Sequence, residues 1–431
     1  MKAAELPPTL GLYRAATAVA QPFAGALLAY RARRGKEDLA RADERKGIAS
    51  RPRPEGVLVW LHGASVGETI SLLPIITRLC EKSLNVLVTS VTTTSAQVLA
   101  RRLPAGALHQ YAPFDTPLFM RRFFDHWRPD LALFAESELW PNAIVEARRR
   151  QIPLALVNAR MSERSLARWR RLPRTIEVLA GSFDLCLAQT EIDAERYRFL
   201  GAHGVVTAGN LKYDVPPPPA DQIALASLKG MTAGRPVLLA ASTHAGEEAI
   251  VAQTHRMLAQ HFPSLLTIIA PRHPERGSEI ASTVKAAGLR PAMRSGRLGP
   301  DSACDIYVAD TVGELGLFYR LTPIVFMGKS LVPHGGQNPI EPAKLGAAIL
   351  HGPHVQNFES VYRALDEAGG AREITDSRTL ALAFAQMIAD PKKLREMVRA
   401  AGMAVERLTG AVDRTMGAIE PYLVHFALGA R

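Results

Sequence analysis

Short apolar segments alternate with helix-length stretches along most of this chain, and the alternation occurs twice. In the first half, five segments rich in Val, Ile and Leu are predicted as strands: Val57–Leu61, Val86–Thr89, Leu131–Phe134, Leu154–Val157 and Leu185–Ala188. In the second half the pattern restarts with Val237–Ala240, Leu265–Ala270, Ile306–Ala309, Ile324–Met327 and Ala348–Leu350. Because parallel strands are buried on both faces, such runs separated by helices are typical of parallel βα units. The sequence therefore predicts an α/β protein with two Rossmann-like domains.

Four consecutive prolines, Pro216–Pro219, separate the two halves. Proline cannot continue a helix or a central strand, so this stretch is predicted to be a stiff connector. With 431 residues, of which 47% are apolar, the chain can bury two cores. We therefore predict an N-terminal segment over residues 1–54, a first domain over 55–215 and a second over 216–431. The stretch from Pro391 onward is predicted to be helical, and in this architecture a terminal helix often crosses back to the first domain.

The two halves also open alike. EGVLVWLHGASVGE at Glu55–Glu68 and RPVLLAASTHAGEE at Arg235–Glu248 each indicate a strand, a loop of small residues and an acidic first helical turn. Ligands of such sheets bind beyond the carboxyl ends of the strands, where helix N-termini attract phosphates. The predicted architecture is two doubly wound domains facing a cleft.

Residues 10–30 form a mostly apolar stretch near the N-terminus. The stretch contains Arg14, Gln21 and Pro22, and is followed by Arg31, Arg33, Arg34 and Lys36. It is marginal as a spanning helix, which needs about twenty apolar residues, and a signal peptide is disfavoured because the basic cluster follows the apolar stretch. A helix packed on the protein itself and an interfacial or single-pass membrane anchor both stay open. We favour the anchor, since the basic residues fit the positive-inside rule and attraction to anionic lipid.

The net charge of +11 is concentrated in two segments. Residues 1–53 carry eleven Lys or Arg against five acids, and Arg148–Arg174 contains nine Arg against one acid, Glu163. Such charge suits nucleic acid, an anionic membrane surface or a phosphorylated substrate. For the second segment, binding of substrate phosphates and a solvated basic face both remain open.

Cysteine usage indicates the redox compartment. Cys80, Cys186 and Cys304 are odd in number and far apart in the sequence. This argues against a disulfide framework or a zinc site, and a reducing compartment follows.

Three motifs of the first half place ionisable residues where strands are predicted to end. HGASVGE leaves Glu68 at the ligand-facing edge, where it can accept a proton or merely complement the helix dipole. FAESELWPN contains Glu136 and Glu138, which point to the same side if the strand continues through them. A capping acid beside a buried Trp is the alternative there. GNLKYD places Lys212 just before the proline connector, where a lysine is usually solvent-exposed.

Four motifs of the second half are typical of nucleotide binding. ASTHAGE offers Ser242 and Thr243 as helix caps that can equally hold a phosphate. PRHPER brings Arg272 to the end of a strand, as a fork for phosphate or as part of a surface salt bridge. DTVGEL is another small-residue loop before a helix. The glycine-rich PHGGQNPIEPAKL is predicted to start a helix at Pro339, with Glu341 in its first turn positioned to take ribose hydroxyls.

Six segments, in this order, resemble the lipid IVA 3-deoxy-D-manno-octulosonic acid (Kdo) transferases of bacterial lipopolysaccharide assembly, glycosyltransferase family 30, of the GT-B type. They are HGASVGE, ESELWPN, NARMSERS, GNLKYD, PRHPER and GGQNPIEPA. The resemblance runs from the N-terminal apolar stretch to about Phe358. It implies transfer of Kdo from CMP-Kdo to the lipid A precursor lipid IVA in core biosynthesis, at the cytoplasmic face of the inner membrane.

The resemblance also implies roles for individual residues. Glu68 is the implied general base of an inverting transfer, and Glu138 and Lys212 are the implied catalytic groups near the transition state. The implied CMP-binding residues are Pro271, Arg272, Val312, Gly313, Glu314, Asn338, Pro339, Ile340 and Glu341. The first domain would then be the acceptor side and the second the CMP-Kdo side.

No Asp-x-Asp sequence occurs in the chain, so the metal-binding signature of the other large class of nucleotide-sugar transferases is missing. Neither a metal nor another cofactor is therefore expected, CMP-Kdo being a substrate. The expected partners are CMP-Kdo, the lipid IVA acceptor and inner-membrane lipids, and not nucleic acid. Two rivals remain: a sugar-nucleotide epimerase of the same double-Rossmann architecture, which needs no lipid-facing N-terminus, and a nucleotide-sensing binding protein, which needs no Glu68.

Overall fold

The computed structural model of the protein describes residues 6–214, 216–296 and 299–429. The chain divides into two compact units. The N-terminal unit comprises Met1–Val215 with Thr409–Arg431, and the C-terminal unit comprises Pro216–Leu408. The predicted domain limit at Val215 and the chain ends lie outside the described residues.

The N-terminal unit is built on a parallel sheet of seven strands among its described residues, in the order β3-β2-β1-β4-β5-β6-β7. Its strands are β1 Leu58–His62, β2 Asn85–Ser90, β3 Ala107–Tyr111, β4 Leu131–Ala135, β5 Leu154–Ala159, β6 Leu185–Ala188 and β7 Val205–Thr207. Two helices precede the sheet, α1 Pro8–Ala20 and α2 Ala24–Arg33. The others are α3 Val66–Glu81, α4 Thr93–Arg102, α5 Pro117–Trp127, α6 Pro141–Arg149, α7 Glu163–Trp169, α8 Pro173–Ala180 and α9 Glu191–Phe199.

The C-terminal unit repeats this plan, with a parallel sheet in the order β10-β11-β9-β8-β12-β13-β14. Its strands are β8 Val237–Thr243, β9 Leu266–Pro271, β10 Pro291–Met293, β11 Ile306–Val308, β12 Ile324–Met327, β13 Ala348–His351 and β14 Ala371–Glu373. Its helices are α10 Gln222–Met231, α11 Glu247–Ala259, α12 Gly277–Ala286, α13 Leu315–Tyr319, α14 Ile340–Lys344, α15 Glu359–Glu367, α16 Ser377–Ala389 and α17 Pro391–Leu408. Both sheets are therefore the parallel, helix-covered sheets that the apolar runs predict.

The last helix, α18 Ala411–Gly429, belongs to the N-terminal unit. Ile419 and Leu423 of this helix are buried in the same apolar cluster as Val59 and Leu61 of β1. Asp214 accepts hydrogen bonds from the backbone N–H groups of Gly410 and Val412 at 2.7 and 2.5 Å, which fixes the start of α18. The chain thus returns to its first unit and covers one face of the first sheet.

The side chains of β1 alternate between the two faces of the sheet, and both faces are buried. Val59 and Leu61 pack on one face of the sheet, while Leu58 and Trp60 pack on the other. Trp60 meets the ring of Phe123 in α5 at a centroid distance of 4.8 Å. Each fully buried side chain of this size stabilises the fold by roughly 1.5–3 kcal/mol. The carboxyl end of β1, from which the following loop begins, is therefore held by packing on both faces of the sheet.

In each sheet, the strands that come directly after the first strand in the chain lie on one side of it and the later strands lie on the other side, so the chain crosses over at one position. On the first side of the C-terminal sheet, β11 lies between β9 and β10. In the N-terminal unit the crossover position lies between β1 and β4, and in the C-terminal unit between β8 and β12. Loops at the carboxyl ends of such a strand pair form the usual ligand site of an open α/β sheet. The site should therefore be sought in the loops after β1 and β4 and after β8 and β12.

The N-terminal stretch forms two short helices rather than one long one. A 3₁₀ turn, Gln21–Phe23, holds Pro22 between α1 and α2. Leu10 and Leu28 are buried against the unit. The opposite surface exposes large apolar side chains, namely Leu12, Val19, Phe23, Leu27 and Tyr30. Among the described residues, no helix has both the length and the apolar character needed to cross a membrane.

Candidate functional site

The three predicted catalytic residues all follow strands of the first sheet. Glu68 comes after β1, Glu138 after β4 and Lys212 after β7. Parallel strands end at one edge of a sheet, so the three residues share the carboxyl edge of the N-terminal unit. Glu68 and Glu138 follow the two strands between which the strand order reverses.

Glu68 lies in the first turn of α3, beside the N-cap residue Ser65. Its Oε2 accepts a hydrogen bond from the Ala64 N–H at 2.8 Å, and its Oε1 accepts one from the Ser65 hydroxyl at 2.6 Å. The loop packs closely on the helix at Gly63, where a Cβ would lie 3.2 Å from the Glu68 Cβ and 3.3 Å from the Thr69 nitrogen. The carboxylate is half-buried, held by two donors, and has no cation paired with it among the described residues.

Glu138 is held by two aromatic rings. Trp140 Nε1 donates to Glu138 Oε2 at 2.6 Å, and His62 Nε2 lies 3.7 Å from the same oxygen. Burial raises the pKa of Glu138, but the hydrogen bonds and the proximity of His62 outweigh burial, and the net result is a lowered pKa. Sequence reasoning had given no role to His62, although it stands in HGASVGE directly before the loop that carries Glu68.

Lys212 forms an ion pair with Glu136, with Nζ 2.5 Å from Oε1. The prediction that Glu136 and Glu138 point to the same side was conditional on a strand that continues through them, and this condition fails. The strand β4 ends at Ala135, and Glu136 has a left-handed backbone with φ +54°. The turn sends the two acids to different partners, Glu136 to Lys212 and Glu138 to His62 and Trp140.

A buried arginine ties the segment after α2 to this edge of the sheet. Arg45 Nε is 2.8 Å from Glu37 Oε1, and its Nη atoms donate to the carbonyls of Ala112 and Val91 at 3.1 and 2.5 Å. The Val91 N–H in turn donates to the Ala64 carbonyl at 3.3 Å. The N-terminal segment is thus bonded to the loop that neighbours Glu68.

In the C-terminal unit, the predicted CMP-binding residues follow β9, β11 and β12. Pro271 is the buried last residue of β9, and the exposed Arg272 follows it. Glu341 stands in the first turn of α14, as predicted, and Pro339 is the residue that caps this helix. Burial raises the pKa of Glu341, although a hydrogen bond from Asn338 and the charge of Arg272 act in the opposite direction. Arg272 and Glu341 are therefore electrostatic neighbours.

Asn338 and Ile340 differ in what they can offer a ligand. The Asn338 side chain is occupied at both ends, since Oδ1 accepts from the Ile340 N–H at 3.1 Å and Nδ2 donates to Glu341 at 3.5 Å. Ile340 is 2% exposed and its N–H is already bonded to Asn338, so it offers a ligand less contact than Asn338 does.

The loop Val312–Glu314 carries the remaining predicted residues. Val312 is 86% exposed, and Gly313 adopts φ +84°. Glu314 pairs with Arg294 at 2.7 Å and also accepts a hydrogen bond from Thr311. The Arg294 hydrogen bonds lower the pKa of Glu314 despite partial burial. Gly313 and Glu314 line a cavity of about 270 Å³ together with Pro219, Ala220, Asp221 and Leu317.

The prediction that Ser242 and Thr243 cap a helix is wrong. Both residues belong to β8, and the N-cap of α11 is Gly246. Thr243 Oγ1 donates instead to Glu248 at 3.0 Å. The strand extends two residues beyond Ala241, and all of it is buried, so Thr243 finds its hydrogen-bond partner inside the unit.

Three histidines come together at the same edge of the second sheet, which the sequence reasoning did not foresee. The ring centroid of His244, after β8, lies 5.8 Å from that of His273, after β9, and 6.1 Å from that of His334, after β12. Burial lowers the pKa of His244, and the charge of Lys329 acts in the same direction. The signal was present, because each histidine stands inside a loop that the sequence had singled out.

The arginine-rich stretch divides into two parts. Arg148 pairs with Asp184 at 3.1 Å and Arg150 with Asp125 at 2.7 Å. The other part is exposed and makes no ion pair with a carboxylate in the described part of the chain; it consists of Arg160, Arg164, Arg168, Arg170, Arg171 and Arg174. A contact between the Thr9 and Thr175 hydroxyls brings the start of α1 next to this exposed part.

Within the described ranges, no group of three or more His, Cys, Asp or Glu is arranged to hold a metal ion. The polar groups at both sheet edges are instead carboxylates with individual partners, arginines and backbone N–H groups. Such groups bind and orient polar substrates and can exchange a proton with them.

The two units, each with a parallel sheet of this kind, give the chain a two-domain α/β fold of the GT-B type. A glycosyltransferase from Rickettsia africae shares the fold at a TM-score of 0.57, covering 86% of this chain and 99% of that one, with 9% identity. A UDP-GlcNAc 2-epimerase from Neisseria meningitidis is similar at a TM-score of 0.55, over 85% and 100%, with 14% identity. At these identities the likeness concerns the fold alone.

Sequence comparison identifies the family. The model of the 3-Deoxy-D-manno-octulosonic-acid transferase (kdotransferase) family matches residues 40–215. A probable mitochondrial 3-deoxy-D-manno-octulosonic acid transferase of Arabidopsis thaliana is 35% identical over 93% of each chain. The 3-deoxy-D-manno-octulosonic acid transferase of Haemophilus influenzae is 33% identical over 92% of this chain and 94% of its own. The chain belongs to the Kdo transferase family and is a glycosyltransferase.

Proposed function

We propose that the protein transfers Kdo from CMP-Kdo to lipid IVA in lipopolysaccharide core biosynthesis, with inversion at the anomeric carbon and with Glu68 as general base. The observation that carries the proposal is the set of contacts that the Glu68 carboxylate makes. The carboxylate is oriented by Ala64 and Ser65 but has no cation paired with it among the described residues. Such a group is fixed in place and still able to accept a proton.

The proposed step is a direct displacement. An acceptor hydroxyl loses its proton to Glu68, and its oxygen forms a bond to the anomeric carbon of Kdo. The bond from that carbon to the phosphate oxygen of CMP breaks, and CMP leaves with the electron pair. Attack from the face opposite the leaving group inverts the anomeric configuration. Lys212 and Glu138 assist near the transition state, where a fixed charge acts more strongly than in bulk water.

The C-terminal unit is proposed to hold CMP. Arg272 would bind the phosphate with its planar guanidinium, and Glu341 would accept hydrogen bonds from the ribose hydroxyls. Pro271, the loop Val312–Glu314 and the segment Asn338–Ile340 would complete the nucleotide site. No Asp-x-Asp sequence is present, so the transfer is proposed to proceed without a divalent ion.

The acceptor is proposed to reach the N-terminal unit from the cytoplasmic face of the inner membrane. Exposed apolar side chains of α1 and α2, among them Val19 and Phe23, suit insertion at the level of the lipid headgroups. The start of α1 contacts Thr175, the neighbour of the exposed Arg174. Apolar and basic side chains exposed on the same unit would suit an acceptor with acyl chains and phosphates.

The test is incubation of the purified protein with CMP-Kdo and lipid IVA in mixed micelles, followed by mass spectrometry of the lipid and of the nucleotide. The proposal predicts a Kdo-bearing lipid, release of CMP and an unchanged rate in EDTA. A rearranged sugar nucleotide formed without acceptor would favour an epimerase instead. Binding of CMP-Kdo without turnover would favour a nucleotide-sensing protein. Loss of turnover in EDTA, restored by added Mg²⁺, would contradict the metal-free mechanism.

A further inference from the structure

A buried chain of hydrogen bonds ends beside the Glu138 carboxylate. Trp60 Nε1 donates to Thr89 Oγ1 at 2.9 Å, and the same oxygen lies 2.9 Å from His62 Nδ1. Each of these three side chains is at most 2% exposed, so bulk water does not compete for the bonds. The other ring nitrogen, His62 Nε2, is buried and has no hydrogen-bond partner among the described residues. The carboxylate oxygen that faces it is Glu138 Oε2, at 3.7 Å.

The chemistry of the donors decides where the imidazole carries its proton. An indole N–H can only donate, so Trp60 occupies a lone pair of the Thr89 hydroxyl. The single hydroxyl proton of Thr89 is then left to donate, and His62 Nδ1 is the only other hydrogen-bond partner of Thr89 Oγ1 in the described part of the chain. An Nδ1–H that donated to the second lone pair of Thr89 would leave this proton without an acceptor and would turn a bare Nε2 lone pair towards the Glu138 carboxylate, so the opposite direction is favoured. A neutral imidazole that accepts at Nδ1 carries its proton on Nε2.

We propose that the Trp60–Thr89 pair fixes His62 as the Nε2–H tautomer, and that His62 is thereby a positioning residue which holds Glu138 for the transfer reaction. The inference rests on the proposed function for the role of Glu138. It goes beyond that function because it names the residues that orient the Glu138 carboxylate, and it assigns the orienting contact to the proton on His62 Nε2.

The arrangement leaves one carboxylate oxygen available. Trp140 and His62 both approach Oε2 of Glu138. Oε1 makes no hydrogen bond to any of the described residues, so it is the oxygen that can face a substrate. Catalytic hydrogen bonds are often long without substrate and tighten when it binds. A movement of less than about 1 Å would bring Nε2 to hydrogen-bond distance of Oε2.

The tautomer can be observed directly, independently of activity. Long-range ¹H–¹⁵N spectra of the ¹⁵N-histidine-labelled full chain would identify His62 by comparison with His62→Gln. We expect a protonated Nε2 and an unprotonated Nδ1 in the wild type. In Thr89→Val, which has the same shape but lacks the hydroxyl, this pattern should be lost, whereas Thr89→Ser should restore it.

Kinetics provide the second readout. Thr89→Val removes the bond that orients His62 towards the charged Glu138 carboxylate. Because hydrogen bonds to charged groups are among the stronger ones, loss of this orientation should lower kcat by about 10- to 100-fold, with the KM for CMP-Kdo unchanged. Thr89→Ser should recover most of the lost turnover. His62→Gln, which keeps an N–H donor, should retain more activity than His62→Leu.

The chain offers a matched control in its C-terminal unit. His255 Nδ1 lies 2.9 Å from Thr267 Oγ1, which is another buried histidine–threonine bond. Thr267→Val should lower the melting temperature about as much as Thr89→Val does, but leave kcat unchanged. An equal loss of kcat in both variants would mean that the effect is one of stability, and would overturn the positioning role.

The remaining outcomes also separate the two proposals. A wild type with the proton on Nδ1, or a Thr89→Val variant with wild-type kcat, overturns the positioning of Glu138 but leaves Kdo transfer intact. If Glu138→Gln keeps the wild-type kcat, Glu138 has no catalytic role. The Trp60–Thr89–His62 hydrogen bonds then have no part in catalysis through it. Absence of a Kdo-bearing lipid from the wild type refutes the proposed transfer itself, whatever the spectra show.

Discussion

The loops after the first strand of each unit have matching sequences but hold their carboxylates differently. Glu68 and Glu248 are the last residues of the two matching segments, and each lies in the first turn of a helix. Glu68 is half-buried and bonded to Ala64 and Ser65 of its own loop. Glu248 is 2% exposed and pairs with Arg276 at 2.8 Å. The same local pattern thus gives a carboxylate without a counter-charge in one unit and a buried ion pair in the other.

The difference shows that a partner distant in sequence decides what such a glutamate does. Arg276 comes from the loop after β9 and, with Thr243, occupies Oε1 of Glu248. No cation occupies the corresponding position beside Glu68 in the described residues. Removing one partner of a buried ion pair destabilises the fold, whereas an unpaired carboxylate at a sheet edge can accept a proton. We therefore expect the matched variants of these two residues to have opposite effects.

The largest effect is expected for Glu68→Gln. Glutamine keeps the size of the side chain but cannot accept the acceptor's proton, so kcat should fall by about 10²- to 10⁴-fold. The affinity for CMP should not change, because the nucleotide is assigned to the other unit. Steady-state transfer assays and calorimetric titration with CMP would measure the two quantities.

Glu248→Gln is the matched control for that experiment. Loss of the charge beside Arg276 should lower the free energy of unfolding by about 1–3 kcal/mol and leave kcat close to wild type. If Glu248→Gln abolished turnover while Glu68→Gln retained it, the contrast between the two loops would be refuted.

The sequence predicted the interior strands of both sheets but none of the edge strands. The predicted segment Leu185–Ala188 coincides with β6 and Ile324–Met327 with β12. The four strands without a prediction are β3, β7, β10 and β14, which are the edges of the two sheets. An edge strand is paired on one side only, so it needs no continuous apolar run. The sequences ALHQY, VVT, PAM and ARE accordingly lack the signal.

The site was predictable to the extent that it depends on loops after buried strands. Glu68 and Glu341 stand in first helical turns, as their motifs indicated. The partners were not predictable in the same way, because the ion pair of Lys212 with Glu136 depends on a left-handed turn at Glu136. The three histidines of the second sheet likewise come from three separate loops, which only the strand order brings together.

The second-largest effect is expected for Arg272→Ala, which tests the C-terminal side of the comparison. Loss of a guanidinium bonded to phosphate should weaken CMP binding by about 10- to 100-fold. The KM for CMP-Kdo should rise by a similar factor, and the KM for lipid IVA should not. A rise confined to the lipid acceptor would contradict the assignment of CMP to this unit.

A smaller effect is expected when Arg160, Arg164 and Arg168 are replaced together by Gln. Exposed basic residues near anionic lipid contribute at most about 1 kcal/mol each, and salt screens them, so the KM for lipid IVA should rise by about tenfold at low ionic strength. Affinity for CMP should stay constant. Removal of three exposed arginines of the C-terminal unit, Arg378, Arg395 and Arg399, is the control for net charge. Equal effects of the two triple variants would show that the basic stretch has no specific role.

The smallest expected effect is a pH dependence of CMP binding, which we attribute to Glu341 of the C-terminal unit. Burial raises the pKa of Glu341 above the ordinary value for a glutamate. A raised pKa means that the carboxyl group takes up its proton at a higher pH than an exposed glutamate would as the pH falls. The protonated group has lost acceptor capacity for the ribose hydroxyls, so CMP affinity should decrease by a few-fold as the pH falls through this pKa.

The CMP phosphate also titrates, near pH 6. The Glu341→Gln variant isolates the contribution of the phosphate, because its side chain at position 341 does not titrate. Titrations of both proteins across the acid range should therefore diverge at low pH, because only the wild type loses the contribution of Glu341. Parallel curves would show that Glu341 does not contact the ribose.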